Sequence, residues 1–270
     1  MVNLFGKGFI GSHYASKFDC IVNDRNDLTP KTNDILYMIS TTDNYNVKTN
    51  PYIDIDTNLT TLIRVLENCR DKDVTFNFVS SWFVYGQTMP PFTEQTPCNP
   101  KGFYSITKRT AEQLLVSYCE TYNIKYRILR LANVVGPGDH GVSKKKNALT
   151  YLIREIVKGN DIDLYDNGDF YRDYIHVGDV CTAINLVLEK GEVNTIYNIG
   201  NGDETKFRDA IDYVIHKVNS GSNVNNIPQA DFHKQVQVKS MSMSNYKLRM
   251  LGYVPEYTME MILDDLIRQG

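Results

Sequence analysis

The chain lacks the features that tie a protein to a membrane, to nucleic acid or to an oxidising compartment. Its five cysteines are odd in number and form no Cys-x-x-Cys pair, which argues against a disulfide framework and against a metal site. No run of about 18 apolar residues occurs, so no membrane span is expected. Basic and acidic residues nearly balance, 29 against 32, and give no sign of a nucleic-acid partner. We therefore predict a cytoplasmic protein.

The apolar residues, 42% of 270, are enough for a substantial core, and their spacing indicates its architecture. Up to about residue 133, short apolar runs alternate with longer amphipathic stretches, which is typical of parallel strands joined by crossover helices. Strands are predicted at 2–5, 20–22, 35–39, 75–80 and 126–131, and helices after Gly11, at 57–70 and at 103–122. The pattern favours an α/β fold.

A glycine-rich turn, Gly6, Gly8 and Gly11, lies between the first predicted strand and the first predicted helix. Backbone N–H groups at a helix N-terminus can hold a pyrophosphate, and glycine lets that ligand approach closely. The turn, with the backbone of Phe9 and Ile10, is therefore predicted to bind a dinucleotide. Together with the alternation it predicts a Rossmann-like doubly wound parallel sheet.

The residues after the second predicted strand bear on the choice of dinucleotide. Asp24 follows that strand, where an acidic side chain usually binds the adenine ribose, and it favours NAD. Its neighbour Arg25 could instead accommodate the 2′-phosphate of NADP. The sequence leaves both cofactors open.

Tyr104 and Lys108 lie one helical turn apart on one helix face, and Ser81 ends a strand. A phenol has a pKa near 10, but an adjacent ammonium and a cationic nicotinamide both favour the phenolate, which can then act as a base. Ser81 would hold the same oxygen by a hydrogen bond. A second Tyr-x-x-x-Lys, Tyr213 and Lys217, follows no glycine turn or serine-ended strand. The first copy is therefore the predicted hydride-transfer site.

These motifs make the chain similar to the extended short-chain dehydrogenase/reductase family, the nucleotide-sugar epimerases, dehydratases and ketoreductases. The resemblance covers nearly the whole length. It rests on GKGFIGS at 6–12, SSWFVYG at 80–86, YSITK at 104–108, RLANVVGP at 130–137 and RDYIHVGD at 172–179.

The resemblance implies a role for several single residues. Ser81 matches the catalytic serine or threonine, which also contacts the substrate, and Tyr104 matches the catalytic acid/base. Lys108 matches the lysine that lowers the tyrosine pKa and binds the nicotinamide ribose. Asn58 is expected in the cofactor site. The implied substrate is a nucleotide-linked sugar.

Two further matches, Asn133 and Arg172, are expected to contact the sugar nucleotide, the arginine through its phosphates, because a planar guanidinium suits two phosphate oxygens. The alternatives are that Asn133 caps a strand end and that Arg172 pairs with Asp169 or Asp173. His176 is interpreted as structural.

Departures from the family narrow the reaction. Dehydratases of this group carry an acidic pair directly after the catalytic serine or threonine, where this chain has Trp82 and Phe83. Neither side chain can act as a general acid or base, so a 4,6-dehydratase is disfavoured. A 4-epimerase or a 4-ketoreductase remains. The alternatives are a dehydratase without the acidic pair and a non-catalytic dinucleotide-binding protein.

The remaining expectations concern organisation. The core is expected over residues 1–133 with parts of 159–200, and a small α/β C-terminal substrate lobe over 134–158 and 201–270. The lobe is predicted to contain a helix at 148–158, a strand at 161–165 and a polar loop at 219–226. The chain is shorter than most relatives around its second and third strands. A homodimer is expected through the helices at 57–70 and 103–122, and the basic run at 144–146 is a candidate phosphate clamp.

Overall fold

A six-stranded parallel sheet forms the centre of the molecule in the computed structural model, which describes residues 1–139, 141–143, 147–236 and 238–270. The strands are β1 (Val2–Phe5), β2 (Cys20–Val22), β3 (Asp34–Tyr37), β4 (Thr75–Ser81), β5 (Lys125–Leu131), β6 (Asn133–Val135), β7 (Ile162–Tyr165), β8 (Tyr171–Arg172), β9 (Tyr174–His176), β10 (Thr195–Ile199), β11 (Thr205–Lys206) and β12 (Val224–Ile227).

Helices follow β1, β3 and β4, whereas β2 continues to β3 without one. The helices are α1 (Phe9–Lys17), α2 (Asn46–Thr49), α3 (Tyr52–Ile55), α4 (Thr61–Glu67), α5 (Phe103–Thr121), α6 (Ala148–Val157), α7 (Val177–Lys190), α8 (Phe207–Val218), α9 (Asp231–Val236), α10 (Tyr246–Met250) and α11 (Met259–Gln269). A π-helical turn, Asp56–Thr60, joins α3 to α4.

The strand order is β2-β1-β3-β4-β5-β10, and all strands are parallel. The chain adds β2 on one side of β1 and β3 on the other, so the order in which strands are added reverses at β1. Such a reversal opens a crevice outside the carboxyl ends of the strands, where α/β proteins bind ligands. The turns after β1, β3 and β4 all reach this edge, so segments that are far apart in sequence meet there. The predicted Rossmann-like doubly wound sheet is confirmed.

Both faces of the sheet are buried, which is why its strands read as continuous apolar runs. On one face Leu4 and Leu36 pack with residues of α1 and α7. On the other, Phe5 and Ile35 pack with residues of α4 and α5. Successive residues of a strand point to opposite faces, so β1 supplies both cores.

The sheet ends at β2. The usual doubly wound order places a further strand outside the second one, but residues 23–33 cross directly from β2 to β3 without a helix or strand. The strand and helix that would lie beyond β2, next to Asp24, are therefore missing from this sheet.

A third apolar cluster lies in the C-terminal part of the chain and brings together α6, α8, α11 and β7. The polar loop predicted at 219–226 is wrong at its end, because β12 pairs in parallel with β7 there. Its polar side chains still find partners: Asn225 donates to Asp163 across the pair. None of the described helices is long and apolar enough to cross a membrane.

Candidate active site

The glycine turn after β1 is shaped by its own backbone. Gly6 has a φ of +101°, and a Cβ there would lie 2.8 Å from the Ile39 backbone nitrogen. A Cβ at Gly11 would lie 2.2 Å from the carbonyl oxygen of Gly6. The helix start and the turn are thus packed as closely as glycine allows, which is the role that the dinucleotide fingerprint gives these positions.

Gly8 differs from its two neighbours because a Cβ there would meet no atom within 4 Å. It is the N-cap of α1, and no side chain caps this helix. The N–H groups of Phe9 and Ile10 at the helix start therefore have no intrahelical acceptor. Open space beside free donors fits a dinucleotide pyrophosphate.

Asp24 and Arg25 are both exposed, just beyond the end of β2. They lie at the outer side of the glycine turn, since β2 is the strand next to β1. Both side chains are accessible to the adenosine of a dinucleotide bound at the turn.

Tyr104 lies in the first turn of α5 and is 6% exposed. Ser81 ends β4, and its Oγ accepts a hydrogen bond of 3.3 Å from the Phe83 N–H, which begins a 3₁₀ turn. Burial raises the pKa of Tyr104 to about 12, while hydrogen bonds with Ser81 and Ser40 act in the opposite direction. Ser81 and Tyr104 are thus brought together, with Ser40 as an additional neighbour of the phenol.

Lys108 is buried one turn further along α5. Its Nζ donates to the Val79 carbonyl at 2.9 Å and lies 4.2 Å from the centroid of the Phe78 ring. Burial lowers the pKa of Lys108 to about 7, against an opposing contribution from Glu112. The lowered tyrosine pKa that the sequence predicted is therefore not found in the protein alone, because burial of the phenol outweighs the effect of the Ser81 and Ser40 hydroxyls.

We expect Lys108→Met to abolish activity and stabilise the fold. The lowered pKa means that keeping Lys108 charged in the folded protein costs about 5 kcal/mol of stability well below pH 7. In the unfolded chain Lys108 has the ordinary pKa of 10.5, and this cost is absent. The folded state binds fewer protons between pH 7 and 10.5, so this penalty fades as pH rises through that range. Chemical denaturation at pH 6 and pH 9.5 should show a gain of about 2–3 kcal/mol at pH 6 and a smaller one at pH 9.5. A loss of stability at both would contradict this assignment.

Asn58 uses its side chain to join three elements. Its Oδ1 accepts from the Thr41 N–H at 2.9 Å and from Ser40 Oγ at 3.1 Å, and its Nδ2 donates to Thr107 Oγ1 at 3.0 Å on α5. It thereby fixes the segment after β3 against the helix of Tyr104. Its direct contact with a cofactor stays a prediction.

A cavity of about 580 Å³ reaches Phe83, the neighbour of Tyr104, but is not lined by Tyr104 itself. Trp82 and Phe83 form part of its wall; their rings stack with centroids 4.0 Å apart, and the Phe83 ring meets Tyr104 edge-on at 5.9 Å. The acidic pair that dehydratases carry is thus replaced by an aromatic surface against Tyr104, the predicted acid/base. Asn133 and Arg172 also line the cavity.

Both of these cavity residues are held by backbone carbonyls. Asn133 Nδ2 donates to the Asp173 carbonyl at 3.0 Å. Arg172 donates to the carbonyls of Lys239 and Val238, at 2.6 and 3.0 Å, and stacks on Phe170. The guanidinium pairs with neither Asp169 nor Asp173, so that alternative is wrong.

His176 and the second Tyr-x-x-x-Lys have structural partners. The Nδ1 atom of His176 accepts from the Gly178 N–H at 3.1 Å and so caps α7. Tyr213 donates to Asp264 at 2.9 Å, and Lys217 forms an ion pair with the same carboxylate. No group of His, Cys, Asp or Glu suited to a metal occurs in the described part of the chain. The basic run at 144–146 lies outside the described residues.

Sequence reasoning did not single out the segment after β3, where Ser40 and Thr41 face the catalytic helix through the Asn58 bridge. The position of this segment was a usable signal. It follows β3, which pairs in parallel with β1, and the carboxyl ends of adjacent parallel strands meet at one edge of the sheet. Asp54, which Thr41 contacts, carries no comparable local signal.

Comparison with known proteins places these features in a family. The model of the NAD dependent epimerase/dehydratase family matches residues 28–200. A putative UDP-glucose 4-epimerase of Methanocaldococcus jannaschii is 29% identical, over 93% of this chain and 92% of that protein. The low-salt glycan biosynthesis protein Agl12 of Haloferax volcanii is also 29% identical; the match spans 76% of this chain but only 65% of that protein.

The fold has close counterparts among solved structures. A UDP-glucose 4-epimerase from Thermotoga maritima, determined with UDP-glucose, superposes with a TM-score of 0.86 at 22% identity. The superposition covers 99% of this chain and 97% of that one.

Proposed function

Because the chain belongs to the NAD dependent epimerase/dehydratase family, we propose that it modifies a nucleotide-linked sugar by hydride transfer at one carbon, C4, with Tyr104 as the acid/base. One observation carries the proposal. The Tyr104 phenol is buried between Ser40, on the side of the glycine turn, and Phe83, which walls the cavity. It thus lies between the turn proposed to hold the dinucleotide and the wall of the proposed substrate cavity.

The glycine turn fits a dinucleotide, with its phosphates at the N–H groups of Phe9 and Ile10 and its nicotinamide end toward Ser40 and Lys108. When bound, the dinucleotide supplies a ring that accepts or returns a hydride. Asp24 favours NAD as the resident form, and Arg25 keeps NADP as the alternative.

The chain's own residues handle the proton. Ser81 holds the reacting oxygen, and Tyr104 takes its proton as the carbon–hydrogen bond is broken, or returns it in the reverse direction. A pKa of about 12 makes the phenolate a strong base but a scarce one, so a positive charge near the phenol, from protonated Lys108 or an oxidised nicotinamide, would be needed to populate it. Asn133 and Arg172 would position the sugar nucleotide at the cavity.

Elimination of water is disfavoured at this site. A dehydratase needs an acid and a base besides the tyrosine, and the 3₁₀ turn beside Tyr104 offers Trp82 and Phe83. The stacked pair leaves simple redox chemistry. An epimerase oxidises the sugar to a 4-keto intermediate that rotates and is reduced again, whereas a ketoreductase reduces a 4-keto substrate once and releases the alcohol.

Absorbance at the reduced-nicotinamide band, combined with product mass, tests the function. Purified protein is mixed with NADH or NADPH and a panel of nucleotide 4-keto-6-deoxy sugars, and separately with NAD⁺ or NADP⁺ and nucleotide hexoses. Stoichiometric loss of the band with a product two hydrogens heavier identifies a ketoreductase and its coenzyme. Interconversion of hexoses at constant absorbance and mass identifies a 4-epimerase. If no sugar changes in either assay, the proposal is wrong.

We propose further that the protein acts in the cytoplasm as a homodimer. Of the two helices expected at the interface, α5 leaves Ile106 and Leu114 exposed, whereas residues 57–70 expose no large apolar side chain. Ile53 on α3, just before that segment, is exposed. Sedimentation equilibrium should give twice the monomer mass of 30.9 kDa, and Leu114→Lys should weaken the association.

A further inference from the structure

Asp54 is a fully buried carboxylate that the mechanism above does not use. It lies on α3 and has no solvent exposure. Its Oδ1 atom accepts hydrogen bonds from Thr41 Oγ1 and, at 2.9 Å, from Asn46 Nδ2. Its Oδ2 atom has no hydrogen-bond partner among the described residues.

Within the described ranges, no neighbouring group supplies a positive charge to balance the Asp54 carboxylate. Both donors to Oδ1 are uncharged, and none of the ion pairs among the described residues includes Asp54. A buried carboxylate without a counter-charge and with one free oxygen is unfavourable for folding alone. A group of this kind calls for a role beyond packing.

Asp54 is connected to the catalytic tyrosine. Thr41, which donates to it, also accepts from Asn58 Nδ2 at 2.9 Å, and Asn58 accepts from Ser40 Oγ at 3.1 Å. Ser40 is a neighbour of the Tyr104 phenol and lowers its pKa, whereas the charge of Asp54 raises the pKa of that phenol. The carboxylate therefore acts at the place where the nicotinamide end is proposed to lie.

We propose that Asp54 is the fixed counter-charge for the oxidised nicotinamide and makes the site prefer NAD⁺ over NADH. The inference rests on the proposed function. The nicotinamide ring carries one positive charge when oxidised and none after it gains a hydride, so a fixed negative charge stabilises only the oxidised form. The free Oδ2 keeps this charge available because no protein donor engages it.

The chain offers a matched control two residues away. Asp56 is exposed at the start of the π-helical turn, so Asp56→Asn makes the same chemical change on the same segment without altering the buried charge. Asp54→Asn removes the charge at nearly constant volume. Asp54→Ser, too short to clash, repeats the test if the asparagine variant does not fold, and Asp54→Glu restores the charge.

Isothermal titration calorimetry of the full chain with NAD⁺ and with NADH tests the proposal, with the phosphorylated pair substituted if the wild type prefers it. In Asp54→Asn we expect the ratio of the NADH Kd to the NAD⁺ Kd to fall about tenfold, mainly because NAD⁺ binds more weakly. Asp56→Asn should leave the ratio unchanged, and Asp54→Glu should recover part of it.

Two results would overturn the assignment. An unchanged ratio in a folded Asp54→Asn or Asp54→Ser variant would show that the charge does not act on the nicotinamide. An equal loss of affinity for both forms would show a structural role. In either case the wild type would still bind cofactor, and the proposed function would stand. Failure of the wild type to bind any of the four dinucleotides would instead remove both.

Discussion

Replacing Tyr104 with phenylalanine is expected to lower kcat about a thousandfold while leaving dinucleotide affinity unchanged. The phenol oxygen is the one atom that the change removes, and it is the atom that Ser81 and Ser40 approach. The ring itself remains packed against Phe83, so the fold and the cofactor groove keep their shape. Steady-state kinetics and calorimetry on the same preparation measure the two effects.

The second Tyr-x-x-x-Lys provides the control for that experiment. Tyr213→Phe removes the same oxygen from a tyrosine that hydrogen-bonds Asp264. It should leave kcat unchanged. If Tyr104→Phe retained most of the activity, or if Tyr213→Phe lost as much, the assignment of the acid/base would be wrong.

Alanine at two neighbouring glycines is expected to give opposite outcomes. Gly11→Ala places a Cβ 2.2 Å from the Gly6 carbonyl oxygen, so backbone must move, and we expect a loss of about 3 kcal/mol or more in the free energy of unfolding. Gly8→Ala meets no atom within 4 Å, at a φ of −84° that alanine adopts freely. That variant should fold normally.

The Gly8 variant nevertheless should bind dinucleotide at least about tenfold more weakly, because its methyl group occupies the space beside the free N–H groups at the start of α1. Thermal denaturation and calorimetry separate the two effects. Wild-type affinity in Gly8→Ala would show that the phosphates lie elsewhere, and normal stability in Gly11→Ala would contradict the close packing of the turn.

The core of the fold could be predicted from the sequence because its strands are buried on both faces and end at glycines or polar turns. The predicted strands at 2–5 and 20–22 match β1 and β2, and the helix at 103–122 matches α5 to within one residue. Hydrophobic periodicity and turn residues determine these elements locally.

The C-terminal part was predicted less completely, since its short strands depend on distant partners. β12 has the polar sequence VNNI, and it becomes a strand only because β7 lies alongside it. Similarly, the two-residue β8 and β11 pair with each other over a long separation in the chain. No local pattern predicts such pairs.

The electrostatics of the site depend on burial, which sequence spacing does not report. The Tyr104–Lys108 spacing correctly placed both residues on one helix face. It did not indicate that burial opposes the charged form of each side chain. Asp54 is one acidic residue among several in its segment, and only the fold shows that it is buried while Asp56 is exposed. Which side chains of the site are buried, and how burial shifts their pKa values, could therefore be read only from the structure.

The most direct test of the account is whether the hydrogen at the reacting carbon moves as a hydride. The converting reaction is run in deuterium oxide, exchangeable positions are returned to hydrogen, and deuterium at C4 of the product sugar is measured by mass spectrometry and NMR. Hydride transfer through a nicotinamide, with Tyr104 handling only the hydroxyl proton, predicts no deuterium on C4. One deuterium at C4 would mean that the carbon is deprotonated and reprotonated from solvent, and would contradict the account.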